Sequence, residues 1–128
     1  MRLTNLVPTL HVADISKTLE FYKDALNFEV KNTYEPEGKL IWAFLKSGNV
    51  ELMLEEQTTE STQLRKDTNT SFYFYPEDVE ELHVSLKTRG YPVSDKQVTF
   101  YGMKEFALED PDGLELRFGQ ETSEPPTN

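Results

Sequence analysis

The feature that most constrains this 128-residue chain is an internal repeat with an offset of 64 residues. Asp14 and Asp78 each precede a run with apolar residues at helical spacing, and VEL at 50–52 matches LEL at 114–116 at the same offset. Strand-like runs surround both predicted helices in the same order. Neither unit is large enough to bury a core alone, so the repeat predicts an α+β fold of two paired βαβββ modules.

The order of the runs sets the expected boundaries. Module 1 is expected at about 5–56, with a helix over 15–26 and strands near 6–12, 28–34, 40–46 and 49–56. The polar residues 57–69 are predicted to be a linker. Module 2 is expected at about 70–119, with a helix between Asp78 and Gly90 and strands at 71–75, 96–101, 104–109 and 114–118. We expect one domain over 1–128, with residues 120–128 too polar to fold.

Composition restricts the partners. The 13 basic and 23 acidic residues give a net charge of −10, which disfavours nucleic acid and favours a cationic ligand. The chain has no cysteine, so it has neither a disulfide framework nor a thiol nucleophile. No stretch has the length of a membrane span. These observations predict a cytoplasmic protein that does not bind membranes.

Strand alternation assigns the side chains to two faces. One face is apolar and is predicted to pack beneath the helices: Leu6, Leu10, Val12, Val50, Leu52, Leu54, Phe72, Phe74, Phe106, Leu108, Leu114, Leu116 and Phe118. The same parity places Trp42 and Phe44 in this helix-facing core. The opposite, half-polar face carries the predicted ligand-binding residues: His11, Glu51, Met53, Ser71, Tyr73, Tyr75, Glu105, Glu115 and Arg117.

The segment EFALEDPDGLELRF (105–118) predicts a hairpin around a DPDG turn. Together with VPTLHVAD (7–14), FYKDALNFEV (21–30), NTSFYF (69–74) and GMKEFALEDPDG (102–113), it resembles the vicinal-oxygen-chelate superfamily of glyoxalases, bleomycin resistance proteins and dioxygenases. The match is closest to metal-free bleomycin resistance proteins. This resemblance implies a curved mixed sheet with helices on its outer face, a ligand cavity on its inner face, and a homodimer. Whether the modules pair within one chain or swap between two stays open.

Metal-dependent members of that superfamily take two ligands from each module. The resemblance places those four positions on Val7, Met53, Ser71 and Arg117, which are poor ligands for a divalent cation. We therefore expect no metal and no cofactor. A weak site that uses Glu51 and Glu115 remains an alternative.

The resemblance thus implies binding and sequestration of a small cationic or aromatic ligand, a bleomycin-type antibiotic, with no catalytic residue. Carboxylates at Glu51, Glu105 and Glu115 would attract the cation, and Tyr73 and Tyr75 would stack on it. Arg117 is expected to pair with a neighbouring glutamate or to receive an anionic ligand group. Phe100 and Tyr101 are candidate aromatic walls, as are Trp42 and Phe44 if they face the cavity.

Two other functions stay open at this stage. One is an enzyme, either a glyoxalase-like lyase or isomerase or a dioxygenase relative, with a metal at Glu51 and Glu115 or with His11 as a general base. The other is an interaction module with an empty cleft. His83, which flanks the apolar stripe of the second helix, is predicted to be a partly exposed helix residue.

Overall fold

The computed structural model describes residues 1–57 and 69–127, and it divides into two compact units, Met1–Leu64 and Arg65–Asn128. The prediction of two βαβββ modules is confirmed. Nearly all of the predicted linker at 57–69 lies outside the described residues. Neither of the two helices in the described ranges is long and apolar enough to cross a bilayer.

The first unit is a four-stranded sheet with one helix. Its elements are β1 (Thr9–Val12), α1 (Ile15–Leu26), β2 (Glu29–Tyr34), β3 (Trp42–Ser47) and β4 (Val50–Glu56), with a 3₁₀ turn at Pro36–Gly38. The strand order is β1-β4-β3-β2, and β1 runs parallel to β4 while the other pairs are antiparallel. The helix begins where expected, because the Asp14 side chain accepts a hydrogen bond from the Lys17 amide at 3.2 Å.

The second unit repeats this architecture. Its elements are β5 (Ser71–Phe74), α2 (Val79–Thr88), β6 (Gln97–Val98), β7 (Met103–Glu109) and β8 (Glu115–Glu121). The strand order is β5-β8-β7-β6, again with a parallel pair formed by the first and last strands. Asp78 caps α2 through the Glu81 amide, and Gly90 follows the helix at a φ of 90°.

Most of the predicted core is confirmed. Nine of the assigned side chains are 3% exposed or less: Leu10, Val12, Leu52, Leu54, Phe106, Leu108, Leu114, Leu116 and Phe118. Phe72 and Phe74 are half-buried. The assignment is wrong for Leu6, which is 78% exposed because it precedes β1, and for Val50, which is 37% exposed at the start of β4.

The pairing of strand β3 shows that the predicted placement of Trp42 and Phe44 in the helix-facing core is wrong. Ala43 pairs with Leu54 and is fully buried, so the small residue occupies the helix-facing side. Trp42 pairs with Glu55 and Phe44 pairs with Met53, which places both aromatic side chains on the opposite, polar face. A shift of one residue in the assumed alternation moves every side chain of a strand to the other face.

His83 is also placed differently from the prediction. It is only 6% exposed, its Nε2 lies 2.9 Å from the Ser94 carbonyl oxygen, and its ring meets Phe106 edge-on at 4.9 Å. A core histidine on an apolar stripe needs a polar partner, and the loop after α2 supplies it.

The segment after residue 119 likewise differs from the expected unstructured tail. Strand β8 runs to Glu121, and the Thr127 amide donates to the Val98 carbonyl at 2.9 Å along the outer edge of β6. Lys104 of β7 holds the segment by an ion pair to Glu124 and also pairs with Glu80 of α2 at 2.6 Å. Backbone hydrogen bonds and this ion pair order a polar segment that has almost no apolar surface to bury.

The ion pairs of Glu80 with two lysines are expected to stabilise the fold, and this stabilisation is expected to be lost at acidic pH. Hydrogen bonds from Lys104 and Lys96 lower the pKa of the Glu80 carboxyl from 4.5 to about 2. The folded-state pKa is the lower one, so this stabilisation is present above pH 4.5 and is lost as the pH falls towards 2. We expect Glu80→Gln to lower the urea midpoint at pH 7 and to match the wild type near pH 2.

The matched control is Glu81→Gln, which removes a carboxylate from the same first turn of α2 and so reports the helix-dipole effect alone. An equal deficit of the Glu80→Gln variant at both pH values would contradict the assignment.

Candidate functional site

The sheet of the second unit carries an open cleft of about 810 Å³ on the face opposite the core. Residues that line it include Tyr73, Tyr75, Tyr101, Met103, Arg117 and Glu121; we refer to it as the tyrosine cleft. Tyr73 of β5 and Arg117 of β8 are direct neighbours across the parallel pair, and strand alternation turns both side chains to this face.

A buried carboxylate organises these side chains. Glu105 of β7 is 8% exposed and accepts hydrogen bonds from the Tyr73 hydroxyl at 2.6 Å and the Tyr101 hydroxyl at 3.0 Å. Arg117 Nη2 donates to its other oxygen at 2.5 Å and also to Tyr101 Oη at 3.2 Å. The Arg117 guanidinium lies 5.5 Å from the centre of the Tyr73 ring. The expected pairing of Arg117 with a glutamate is confirmed.

The contacts determine the charge states of the group. Burial would raise the pKa of the Glu105 carboxyl, but the hydrogen bonds from Tyr73, Arg117 and Tyr101 outweigh it and hold the pKa below 4.5. Burial and the bond to Glu105 raise the pKa of Tyr73 above its usual range. The same carboxylate raises the pKa of Arg117. The cluster is therefore a fixed ion pair in which Tyr73 stays a neutral phenol at physiological pH.

This arrangement changes the role expected for Glu105. This carboxylate already accepts three hydrogen bonds, one of them from an arginine that neutralises its charge. It therefore attracts a cationic ligand only weakly. Its effect on a ligand is indirect, because it fixes the orientations of Tyr73, Tyr101 and Arg117. Tyr75, at 76% exposure and 5.2 Å from the Tyr73 ring centre, presents the most open aromatic surface of the cleft.

Gly119 is a residue of this site that the sequence analysis missed. It lies on β8 opposite Glu105, and a Cβ built on it would be 1.9 Å from Tyr73 Oη. Only glycine leaves room for the phenol to cross the strand and reach Glu105. The sequence signal that could have identified it is a glycine at a cleft-facing position of a strand that otherwise alternates regularly.

The structure does not bring all the predicted residues into this cleft. Ser71 and Glu115 are paired across β5 and β8, and Glu115 lines a different groove of about 390 Å³ beside Ser94 and Glu109. Phe100 is 90% exposed and is not among the cleft residues.

His11, Glu51 and Met53 belong to the first unit. Glu51 accepts a hydrogen bond from Asn5 at 2.9 Å and lies 4.0 Å from Lys46. Met53 is paired between Thr9 and Phe44. His11 lies in a second open cleft, of about 630 Å³, where its Nε2 is 2.8 Å from Glu55 Oε1. Other residues that line this cleft are Tyr34, Trp42, Glu56 and Gln57; we refer to it as the tryptophan cleft.

The residues present do not fit a divalent metal. Arg117 holds its positive charge beside Glu105, and Met53 offers only a thioether. Within residues 1–57 and 69–127, no three His, Asp or Glu side chains are grouped closely enough to hold an ion. Glu51 and Glu115, the alternative ligands, belong to different units, and a site that uses both stays a prediction.

Comparisons place this geometry among known proteins. The model of the Glyoxalase/Bleomycin resistance protein/Dioxygenase superfamily matches residues 5–118. The crystal structure of SMU.1112c is 28% identical, with a TM-score of 0.73, and the match covers 93% of this chain and 100% of that chain. No curated protein sequence matches at a significant level.

Two further solved structures share the fold at lower identity. A bleomycin-binding protein complexed with bleomycin is 22% identical, with a TM-score of 0.72 and coverage of 93% of this chain and 99% of that chain. Lactoylglutathione lyase from Agrobacterium tumefaciens is 21% identical, with a TM-score of 0.69 and coverage of 92% and 94%.

The role of Gly119 can be tested by a double-mutant cycle. Gly119→Ala forces the Tyr73 phenol away from Glu105, and we expect it to lower the free energy of unfolding by about 1–3 kcal/mol. In a Tyr73→Ala background the clash is absent, so the same change should cost less than about 0.5 kcal/mol. Urea unfolding of the four proteins gives the coupling, and equal costs in both backgrounds would contradict this account.

Proposed function

Because this chain belongs to the glyoxalase/bleomycin resistance protein/dioxygenase superfamily, we propose that it binds and sequesters a small aromatic, cationic antibiotic of the bleomycin type, without a metal ion. Sequestration needs no reacting group; it needs a preformed, partly apolar groove with a few well-placed polar atoms. The observation that carries the proposal is that Glu105 holds Tyr73, Tyr101 and Arg117 in place through hydrogen bonds within the protein.

The tyrosine cleft suits the flat part of such a ligand. Tyr73 and Tyr75 form an aromatic pair, and Met103 adds a polarisable side chain to the same wall. Glu121 supplies a carboxylate among the lining residues. A rigid aromatic surface loses little conformational entropy when it binds, which favours affinity.

The bleomycin-binding protein supports the choice of ligand to test first. At 22% identity the likeness establishes the fold, so the ligand class rests on the aromatic surfaces and acidic side chains of this chain. We extend the proposal to a cytoplasmic homodimer, which the family resemblance and the absence of cysteine support. Analytical ultracentrifugation should then give twice the chain mass of 14.8 kDa.

One observation favours a second candidate function, a glyoxalase-like lyase. Glu55 lies 2.8 Å from His11 and can orient the imidazole as a general base. Turnover in a lactoylglutathione lyase assay that is lost in His11→Gln and retained in Tyr75→Ala would favour this function over sequestration.

The principal test is calorimetric titration with bleomycin, with and without bound copper. We expect heat of binding at tens of micromolar protein, and a loss of affinity of about two- to tenfold in Tyr75→Ala, because one exposed stacking surface is removed. Val84→Ala is the control, since Val84 is 59% exposed on α2 and is not among the cleft residues. The absence of heat with the wild-type protein would refute the proposal.

A further inference from the structure

We propose that the tryptophan cleft of the first unit is itself a binding site for an organic cation that is an N–H donor: an ammonium, amidinium or guanidinium. The inference goes beyond the proposed function, because it concerns the first unit alone and names a ligand class for its cleft. Its basis is that some polar atoms of the cleft have hydrogen-bond partners among the described residues and others do not.

Four side chains of the cleft lie in one row across the sheet. His11 on β1 is paired with Glu55 on β4, Glu55 with Trp42 on β3, and Trp42 with Tyr34 on β2. The row therefore places a carboxylate between an imidazole and an indole, with a phenol at the far end. Aromatic rings beside a carboxylate form a common environment for organic cations.

The two neighbouring carboxylates of the cleft differ in what they can still accept. Glu56 is fully engaged, because its Oε2 accepts from the Ile15 amide at 3.0 Å and its Oε1 lies 3.1 Å from Lys39 Nζ. Glu55 is 51% exposed and contacts His11 through Oε1 alone. In the part of the chain that the structure describes, Glu55 Oε2 has no donor and is open to a ligand.

Gln57 supplies a second acceptor. Its backbone amide donates to the Val12 carbonyl at 2.8 Å, which continues the strand and turns its side chain to the same face as Glu55. Its side-chain oxygen Oε1 is buried without a hydrogen-bond partner in the described structure. A buried amide oxygen without a donor is costly, so its place in a cleft indicates a ligand that brings one.

These atoms select one class of chemistry. Two acceptors, one of them charged, require at least two N–H donors on a cation, which a primary ammonium, amidinium or guanidinium provides. A carboxylate or phosphate would meet the charges of Glu55 and Glu56. A quaternary ammonium could lie on Trp42 but has no hydrogen to give to Gln57.

The tyrosine cleft differs from the tryptophan cleft in the state of its buried carboxylate. Its buried carboxylate, Glu105, is already neutralised by Arg117 and two hydroxyl groups. Glu121 also lines the tyrosine cleft, but among the described residues only the tryptophan cleft combines an exposed carboxylate with a buried amide oxygen that has no donor, so the donor-bearing cation is assigned there.

The experiment compares two probes, benzamidine and benzyltrimethylammonium, by NMR titration of the full chain. Benzamidine should bind at least tenfold more tightly, because only it can donate to Glu55 and Gln57. Glu55→Gln and Gln57→Leu should each weaken benzamidine about tenfold or more and leave benzyltrimethylammonium within about twofold for Gln57→Leu. Glu20→Gln is the control, since it removes an exposed carboxylate of α1 in the same unit that is not among the cleft residues.

Equal affinities of the two probes, or benzamidine binding that is insensitive to Gln57→Leu in a protein with an unchanged melting temperature, would overturn the inference. Bleomycin then separates this failure from that of the proposed function. If bleomycin binds the wild type but benzamidine behaves in either of these ways, the cation site is refuted and sequestration stands. If benzamidine binds as expected and bleomycin does not, the cation site stands and the bleomycin-type ligand is refuted.

Discussion

The second unit depends on one buried carboxylate, Glu105. Transfer of a charge from water into a sheet is costly unless opposite charge and hydrogen bonds replace the lost hydration. Here an arginine and two tyrosine hydroxyls from β5, β8 and the turn before β7 do so. Because each donor is held by the same acceptor, their side chains lose rotational freedom together. The cleft surface is thus ordered before binding, which lowers the entropic cost of association.

The two clefts differ in the polar atoms that they leave unused. In the tyrosine cleft the charges of Glu105 and Arg117 cancel, and the rest of the lining includes aromatic rings and the Glu121 carboxylate. In the tryptophan cleft Glu55 keeps one oxygen without a donor among the described residues, and Gln57 adds an unsatisfied amide oxygen. The repeat produced two sheets with the same strand order, and substitutions on one face have given each sheet its own chemistry.

Local signals in the sequence were sufficient for the architecture. Asp14 and Asp78 located both helix starts, and the 64-residue offset identified the modules. Trp42 was misplaced because the assumed strand alternation assigned it to the core, whereas the small Ala43 lies there. Gly119 was not identified because its importance depends on Tyr73, a residue 46 positions earlier that meets it only after the sheet forms. Contacts between distant strands are the part of a site that periodicity does not reveal.

Arg117 supplies the positive charge that the buried Glu105 carboxylate needs. A divalent cation among carboxylates neutralises their charge and fixes their geometry; in this chain a guanidinium does both for Glu105, with a pKa raised by the pairing. Arginine remains charged at every physiological pH and carries several donors in one plane, so it holds a carboxylate and a phenol at once. It has no open coordination position at which a substrate oxygen could be polarised. Arg117 thus keeps this cleft rigid with a charge that the protein itself carries.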